Sequence, residues 1–185
     1  MARNLTVERR PALAGQDISV GGVKVLVLPP AGRVSLRVPE DAIGSLSRAI
    51  KVTLPQKPKT SAVKDGRMVF WLGPDEWFVI DEQGGEAIMA DCAKAKGLHS
   101  AVDVSHRNVA FAVTGPLAAE MLAAGCPQDL SLSEFPVGAC SRTVFGKAEI
   151  MLYRVSEQEF RVECWRSFSD YIFAHLAAAA RDTAA

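Results

Sequence analysis

The sequence of 185 residues has no excess of either charge, because 21 lysines and arginines are matched by 21 aspartates and glutamates. Proteins that bind nucleic acid need clustered basic side chains to displace counterions, so this balance argues against that class. A neutral surface also resists association poorly. Together with a hydrophobic fraction of 49%, the net charge of zero hints at a partner that covers part of the surface.

The sequence also has no long hydrophobic run. The longest continuous runs, five residues each at 68–72, 109–113 and 176–180, fall far short of the ~20 apolar residues that a membrane helix requires. The first eleven residues include Arg3, Glu8 and Arg9, and no continuous apolar segment follows them. We therefore expect neither a membrane span nor a secretory signal.

Cysteine is scarce and shows no metal-binding spacing. Cys92, Cys126, Cys140 and Cys164 form no Cys-x-x-Cys pair, and the three histidines complete no zinc pattern. We expect four buried thiols in a reducing compartment, no metal site and a cytoplasmic protein. A thiol–imidazole pair of Cys140 or Cys164 with His99 remains the alternative.

The common nucleotide and hydrolase motifs are missing as well. The chain has no Gly-x-Gly-x-x-Gly, no Gly-x-x-x-x-Gly-Lys-Ser/Thr and no Gly-x-Ser-x-Gly. We therefore assign no catalytic residue and no flavin or nucleotide site to this chain.

The sequence does contain alternating strand and helix patterns, with a hairpin turn at Gly73-Pro74-Asp75 and a loop at 54–66. Strands are predicted at 23–28, 33–38, 68–72, 76–80, 101–104, 108–113, 139–145, 149–155 and 159–164. Helices are predicted from 39 to 50, 85 to 96, 117 to 125 and 167 to 181. On the last helix we expect a buried face of Phe168, Tyr171, Ile172, His175 and Leu176.

The order of these elements repeats, since each half of the chain reads approximately β-α-β-β-α. We predict the α+β class: two interlocked halves with helices packed on antiparallel or mixed sheets. The expected division is an extended arm at 1–22, a first half at 23–97 and a second half at 98–185, packed as one unit.

The most polar short cluster is Asp103, Ser105, His106 and Arg107. Along a strand, Asp103 and Ser105 point to one side and His106 to the other, which argues against a Ser/His/Asp triad. A structural role, in which hydrogen bonds fix a strand end, is favoured. Among the three tryptophans, Trp165 is the expected interface anchor because it directly precedes the last helix.

Several segments resemble a known family. Residues 102–122, which begin Val-Asp-Val-Ser-His-Arg and run through Thr-Gly-Pro into a helix, resemble the aminomethyltransferase (T-protein) of the glycine cleavage system. The likeness continues through Pro-Val-Gly at 136–138 and Leu-Tyr-Arg at 152–154. With Trp-Leu-Gly-Pro-Asp-Glu-Trp at 71–77, nearly the whole chain is similar to the gamma subunits of heterotetrameric sarcosine oxidase.

This resemblance implies an aminomethyltransferase-like fold and a tetrahydrofolate-dependent oxidoreductase complex. Such a complex converts sarcosine, tetrahydrofolate and O2 to glycine, 5,10-methylenetetrahydrofolate and H2O2. The resemblance implies alpha, beta and delta subunits as partners. It also implies that FAD, FMN, NAD and tetrahydrofolate are bound by those subunits, with no cofactor in this chain.

The sequence departs from the transferase at its paired acids. Aligned on the Leu-Tyr-Arg segment, these acids fall on Ala148 and Glu149, and an alanine cannot act as a base. We therefore expect a non-catalytic structural subunit, in which Asp103, Ser105, His106, Arg107, Glu149 and Trp165 are family-motif or interface positions. The alternative is a stand-alone folate-binding protein or an aminomethyltransferase-like enzyme.

Overall fold

The computed structural model describes residues 12–13 and 15–184. Its strands are β1 (Asp17–Val20), β2 (Val23–Val27), β3 (Gly32–Arg37), β4 (Ser61–Lys64), β5 (Arg67–Gly73), β6 (Glu76–Asp81), β7 (Ser100–Asp103), β8 (Asn108–Thr114), β9 (Cys140–Phe145), β10 (Ala148–Ser156) and β11 (Glu159–Trp165). Its α-helices are α1 (Ile43–Ile50), α2 (Gly85–Cys92), α3 (Ala118–Ala123) and α4 (Ser169–Thr183). Short 3-10 turns precede α1 (Glu40–Ala42) and α4 (Arg166–Phe168).

The strands form two sheets. The six-stranded sheet has the order β1-β2-β8-β11-β10-β9, and the five-stranded sheet has the order β4-β5-β6-β3-β7. Every strand pair in the described residues is antiparallel. The predicted α+β class, with helices packed on antiparallel sheets, is confirmed.

The two sheets lie face to face between two helix layers. Helices α3 and α4 share one apolar core with the six-stranded sheet, and α1 and α2 share another with the five-stranded sheet. A third apolar cluster joins the sheets: Ala31, Phe70, Phe78, Ile80, Val104, Cys140, Met151 and Tyr153. Each sheet therefore packs against helices on one face and against the other sheet on the opposite face, so both faces carry buried apolar side chains.

The predicted repeat is present, and each half has one strand more than the β-α-β-β-α pattern. These strands are β4, which was not predicted, and β9, which was predicted at 139–145. The series β3-α1-β4-β5-β6-α2 corresponds to β8-α3-β9-β10-β11-α4, and the sheet orders β4-β5-β6-β3 and β9-β10-β11-β8 correspond as well. The strand before each series lies in the opposite sheet, since β2 pairs with β8 and β7 pairs with β3. This exchange of strands interlocks the halves.

Several local predictions are wrong. The loop predicted at 54–66 contains β4, which pairs with β5 although its Ser-Ala-Val-Lys sequence carries little strand signal. Helix α2 ends at Cys92 rather than at 96. Of the residues expected on the buried face of the last helix, Tyr171 is 41% exposed, and Phe168, which is 42% exposed, lies in the 3-10 turn before α4. The buried residues of α4 are Ser169, Ile172, Leu176, Ala179 and Ala180. Ala179 and Ala180 belong to the core shared with the six-stranded sheet, whereas the Phe168 and Tyr171 rings lie outside it.

The arm predicted at 1–22 lies mostly outside the described residues. Its described part includes β1, which pairs with β2 at the edge of the six-stranded sheet. The hairpin predicted around Gly73-Pro74-Asp75 is confirmed, since β5 and β6 pair on either side of that turn. No helix in the described part of the chain combines the length and apolar character needed to cross a bilayer.

Candidate functional site

Asp103 and Ser105 hold the end of β7 against β3. The Ser105 hydroxyl donates to Asp103 Oδ1 over 2.5 Å and accepts the backbone N–H of Arg33 over 2.8 Å. The backbone N–H of Ser105 also donates to Asp103 Oδ1 at 2.8 Å. The Ser105 hydroxyl is thus engaged in fixing one strand to another, in a residue that is only 6% exposed.

The start of α2 closes off the same pair. A Cβ atom added at Gly85 would lie 2.7 Å from Ser105 Oγ and 2.8 Å from Asp103 Oδ2. Since even a methyl group does not fit there, no substrate atom can approach the Ser105 hydroxyl from this side. Glycine at the first position of α2 permits this close approach.

His106 and Arg107 lie outside this hydrogen-bonded pair. Both residues are exposed, and in the described structure His106 forms no hydrogen bond with Asp103 or Ser105. The structure therefore brings Asp103 and Ser105 together but does not assemble a Ser/His/Asp triad from this segment. Arg107 instead places its guanidinium carbon 5.4 Å from the centre of the Trp165 ring.

A buried ionic cluster, which sequence analysis missed, joins the two sheets. Arg33 on β3 forms a two-pronged ion pair with Glu163 on β11, with Nε–Oε2 and Nη2–Oε1 distances of 2.7 and 3.1 Å. Arg161 donates to the same carboxylate over 2.9 Å. All three residues are at most 8% exposed.

The internal repeat contained the signal that could have revealed this cluster. The segments 72–80 and 155–163 correspond, which aligns Phe78 with Arg161 and Ile80 with Glu163. Phe78 and Ile80 belong to the apolar layer between the sheets. Charged residues that replace such positions in the second half must be buried, and buried charges require partners.

A cleft between the sheets contains Glu149, Arg107 and Trp165 of the predicted positions. Ser35 and Phe78 line it from the five-stranded sheet. Its volume is about 40 Å³, which is room for about one water molecule. Sites for drug-sized ligands occupy ~300–1,000 Å³. This cleft is therefore too small for a folate.

The residues at the aligned acidic positions do not fit a folate site either. Ala148 is 2% exposed and packs in the core beneath α3 and α4. The Glu149 side chain is 54% exposed and lies 4.0 Å from Arg142 Nε, on the opposite face of β10. Three wider surface depressions are lined by neither residue. No tetrahydrofolate step can be derived for this chain.

The thiols lack the surroundings of a nucleophile. Burial raises the pKa of Cys92 to about 11 and the pKa values of Cys140 and Cys164 to about 12, so these groups are protonated near neutral pH. His99 Nδ1 lies 3.0 Å from the carbonyl oxygen of Gly97, and no hydrogen bond joins His99 to a cysteine among the described residues. These residues also contain no cluster of three metal-ligating side chains.

Known proteins resemble this chain along most of its length. It is 28% identical over 181 residues to sarcosine oxidase subunit gamma of Corynebacterium sp. (strain P-1). This alignment covers 92% of this chain and 89% of that protein. It is also 28% identical over 177 residues to sarcosine oxidase subunit gamma of Arthrobacter sp., with 88% and 87% coverage.

Two solved structures share the fold. A chain of heterotetrameric sarcosine oxidase from Corynebacterium sp. U-96 superposes with a TM-score of 0.82 and 26% identity, covering 91% of this chain and 88% of that one. Aminomethyltransferase T of the glycine cleavage system from Bartonella henselae superposes with a TM-score of 0.62 and 15% identity, over 85% of this chain and 46% of that one. The second match shows the shared fold.

These matches confirm the resemblance predicted from the sequence. The model of the sarcosine oxidase gamma subunit family covers residues 41–182, which is well over half of the chain. The chain belongs to the sarcosine oxidase gamma subunit family.

Proposed function

We propose that this chain is a non-catalytic gamma subunit that stabilises a heterotetrameric sarcosine oxidase. The observation that carries the proposal is the agreement of family and shape: the family model covers residues 41–182, and the U-96 sarcosine oxidase chain superposes with a TM-score of 0.82. Its partners are the alpha, beta and delta subunits. We place the complex in the cytoplasm, in keeping with four free cysteines.

In this proposal the chemistry belongs to the partners. The complex oxidises sarcosine in the presence of tetrahydrofolate and O2 and yields glycine, 5,10-methylenetetrahydrofolate and H2O2. FAD, FMN, NAD and tetrahydrofolate are held by the other subunits. The gamma chain contributes a folded surface to the assembly and no reacting group.

Three features of this chain support a non-catalytic role. Ala148 occupies the position aligned with an acid of the transferase and is buried in the core. The Ser105 hydroxyl is engaged with Arg33 and Asp103, and the start of α2 at Gly85 leaves no space for a substrate atom on its side. The cleft that contains Glu149 has room for about one water molecule.

The isolated chain provides a first test. Calorimetric titration with tetrahydrofolate should give no saturable heat in the micromolar range, and the chain should neither carry flavin absorbance nor oxidise sarcosine. The T-protein of the glycine cleavage system, titrated in parallel, confirms that the ligand is intact. Saturable binding that is lost in Glu149→Ala or Asp103→Ala would support the folate-binding alternative and contradict the proposal.

A further inference from the structure

Two aromatic rings stand out on the surface where β11 meets α4. Trp165 and Phe168 are 43% and 42% exposed, and their ring centres lie 6.3 Å apart. The guanidinium of Arg107 lies over the Trp165 ring at 5.4 Å. Arg166 lies between the two rings in the sequence and is exposed. We call Arg107, Trp165, Arg166 and Phe168 the aromatic–basic patch.

The backbone beneath this patch is held in place. The N–H of Arg166 donates to the carbonyl oxygen of Arg107 over 2.7 Å, which ties the two strand ends together. The Ser169 hydroxyl donates to the carbonyl oxygen of Arg166 over 2.8 Å and fixes the turn into α4. A surface that is already ordered loses little conformational entropy when it binds a partner.

The Trp165 and Phe168 rings are not part of the hydrophobic core. Helix α4 packs on the sheet through Ile172, Leu176 and the alanines near its end, while Trp165 and Phe168 remain open to solvent. Tryptophan and arginine are enriched among the residues that dominate binding energy at protein interfaces. The patch therefore has the composition of an interface centre rather than of a core.

The charge of the aromatic–basic patch indicates the chemistry of the surface that it binds. In the described structure neither Arg107 nor Arg166 forms an ion pair, and the only hydrogen bond from the Arg107 side chain goes to Asn108 Oδ1 at 3.3 Å. The neighbouring Arg142 differs, because it is paired with Glu76. In the sequence, the acids nearest to the patch are Glu163, which is buried and already paired with Arg33 and Arg161, and Asp170, which follows Phe168. Two guanidinium groups beside two apolar rings match a surface that combines carboxylates with an apolar pocket.

We infer that the aromatic–basic patch is the docking surface of this chain for an acidic, apolar-lined surface on a large subunit of the oxidase. The inference rests on the proposed function and deepens it, because it names the residues that make the contact. Trp165 and Phe168 bury their rings on the partner, and the two arginines face its carboxylates. Docking also covers one side of the cleft that Arg107 and Trp165 line.

The test measures binding of the full chain to the large subunits encoded with it, purified without it and held on a sensor surface. The variants are Trp165→Ala and the double charge reversal Arg107→Glu with Arg166→Glu. The matched control is Arg48→Glu with Lys57→Glu, which reverses two exposed basic residues on and after α1. Thermal unfolding of each isolated variant confirms that it is folded.

Each patch variant should raise Kd at least tenfold, and the control pair should leave Kd within threefold of the wild-type value. Added salt should weaken wild-type binding more than binding of the double reversal, because the arginine contacts are electrostatic. Trp165→Phe should restore much of the binding lost in Trp165→Ala.

The outcomes separate the two proposals. Tight binding by the wild type and unchanged Kd values in both patch variants would overturn the docking surface and leave the subunit assignment standing. A wild-type chain that does not bind the large subunits would overturn the proposed function, and the docking surface with it. Self-association of the isolated chain that Trp165→Ala abolishes would assign the patch to a second copy of this chain and overturn the inference.

Discussion

Arg33 and Glu163, 130 residues apart in the sequence, form a two-pronged ion pair in the layer between the two sheets. Their side chains are 2% and 0% exposed. Arg161 shares the same carboxylate, so one buried anion is in contact with two cations. The ionic cluster ties strands β3 and β11 together at the contact between the halves.

Replacement of Glu163 by glutamine should be strongly destabilising. The substitution leaves two buried guanidinium groups without a counter-charge, which typically costs about 3–5 kcal/mol. Chemical denaturation measures the difference in the free energy of unfolding. Asp75→Asn serves as the control, because the Arg37–Asp75 pair is more than half exposed and should contribute less than about 1 kcal/mol. Equal losses in the two variants would contradict the structural role of Glu163.

Ser105→Ala should lower the free energy of unfolding without changing the rate of sarcosine oxidation. The variant leaves the buried backbone N–H of Arg33 without its acceptor, which costs about 1–3 kcal/mol. His106→Ala, at the exposed neighbouring position, should change stability by less than about 0.5 kcal/mol. Sarcosine oxidation per assembled complex should equal the wild-type rate in both variants. A Ser105→Ala complex that assembles fully and has lost its activity would mean that the hydroxyl takes part in the reaction.

Three of the four cysteines should be inert to thiol reagents in the folded chain. Because burial raises the pKa values of Cys92, Cys140 and Cys164 to about 11, 12 and 12, their thiolate fractions at pH 8 are very small. Reaction with a chromogenic disulfide should therefore be slow at these positions in buffer and rapid in denaturant, with peptide mapping to identify them. Rapid labelling of Cys140 in the folded chain would disagree with this account.

The carboxylate of Asp91, which pairs with Arg67 and Lys94, should make the stability of the chain depend on pH. The pKa of Asp91 is lowered because Lys94 and Arg67 donate hydrogen bonds to its carboxylate. A carboxyl group whose pKa is depressed in the folded state contributes stability above its unfolded pKa, and this contribution is lost as pH falls through the folded value. Asp91→Asn should therefore destabilise the chain by up to about 1 kcal/mol at pH 7.

The same variant should differ less from the wild type as pH falls below about 4, the ordinary pKa of aspartate. Urea unfolding of both proteins across this range measures the effect. A difference that stays constant from neutral to strongly acidic pH would contradict the role of the Asp91 carboxylate.

Local features of the sequence were predictable because short-range chemistry determines them. The turn at Gly73-Pro74-Asp75 produced the predicted hairpin, and the helix predicted from 39 to 50 is present as a 3-10 turn followed by α1. The α+β class follows from the alternation of such elements. The weak strand β4 was missed because its pairing partner β5, rather than its own composition, decides its conformation.

The features that determine the arrangement of the halves are non-local. Polar and apolar residues alternate at 33–38, a pattern typical of a strand with one solvated face. Arg33 is nevertheless 1% exposed, because the other sheet covers that face. Nothing near β2 or β7 in the sequence indicates that each pairs with the opposite half. Of the candidate positions, Asp103 and Ser105 are joined by a hydrogen bond just after β7, whereas the buried partners Arg33 and Glu163 were not foreseen.

The most direct test of the non-catalytic subunit is a comparison of the large subunits expressed with and without this chain. Light scattering gives the assembly state, and sarcosine-dependent H2O2 release gives the activity. We expect the large subunits alone to assemble poorly and lose activity quickly, added chain to restore the complex, and the chain alone to be inactive. Large subunits that assemble fully and keep full activity without this chain, or sarcosine oxidation by the isolated chain, would contradict the account.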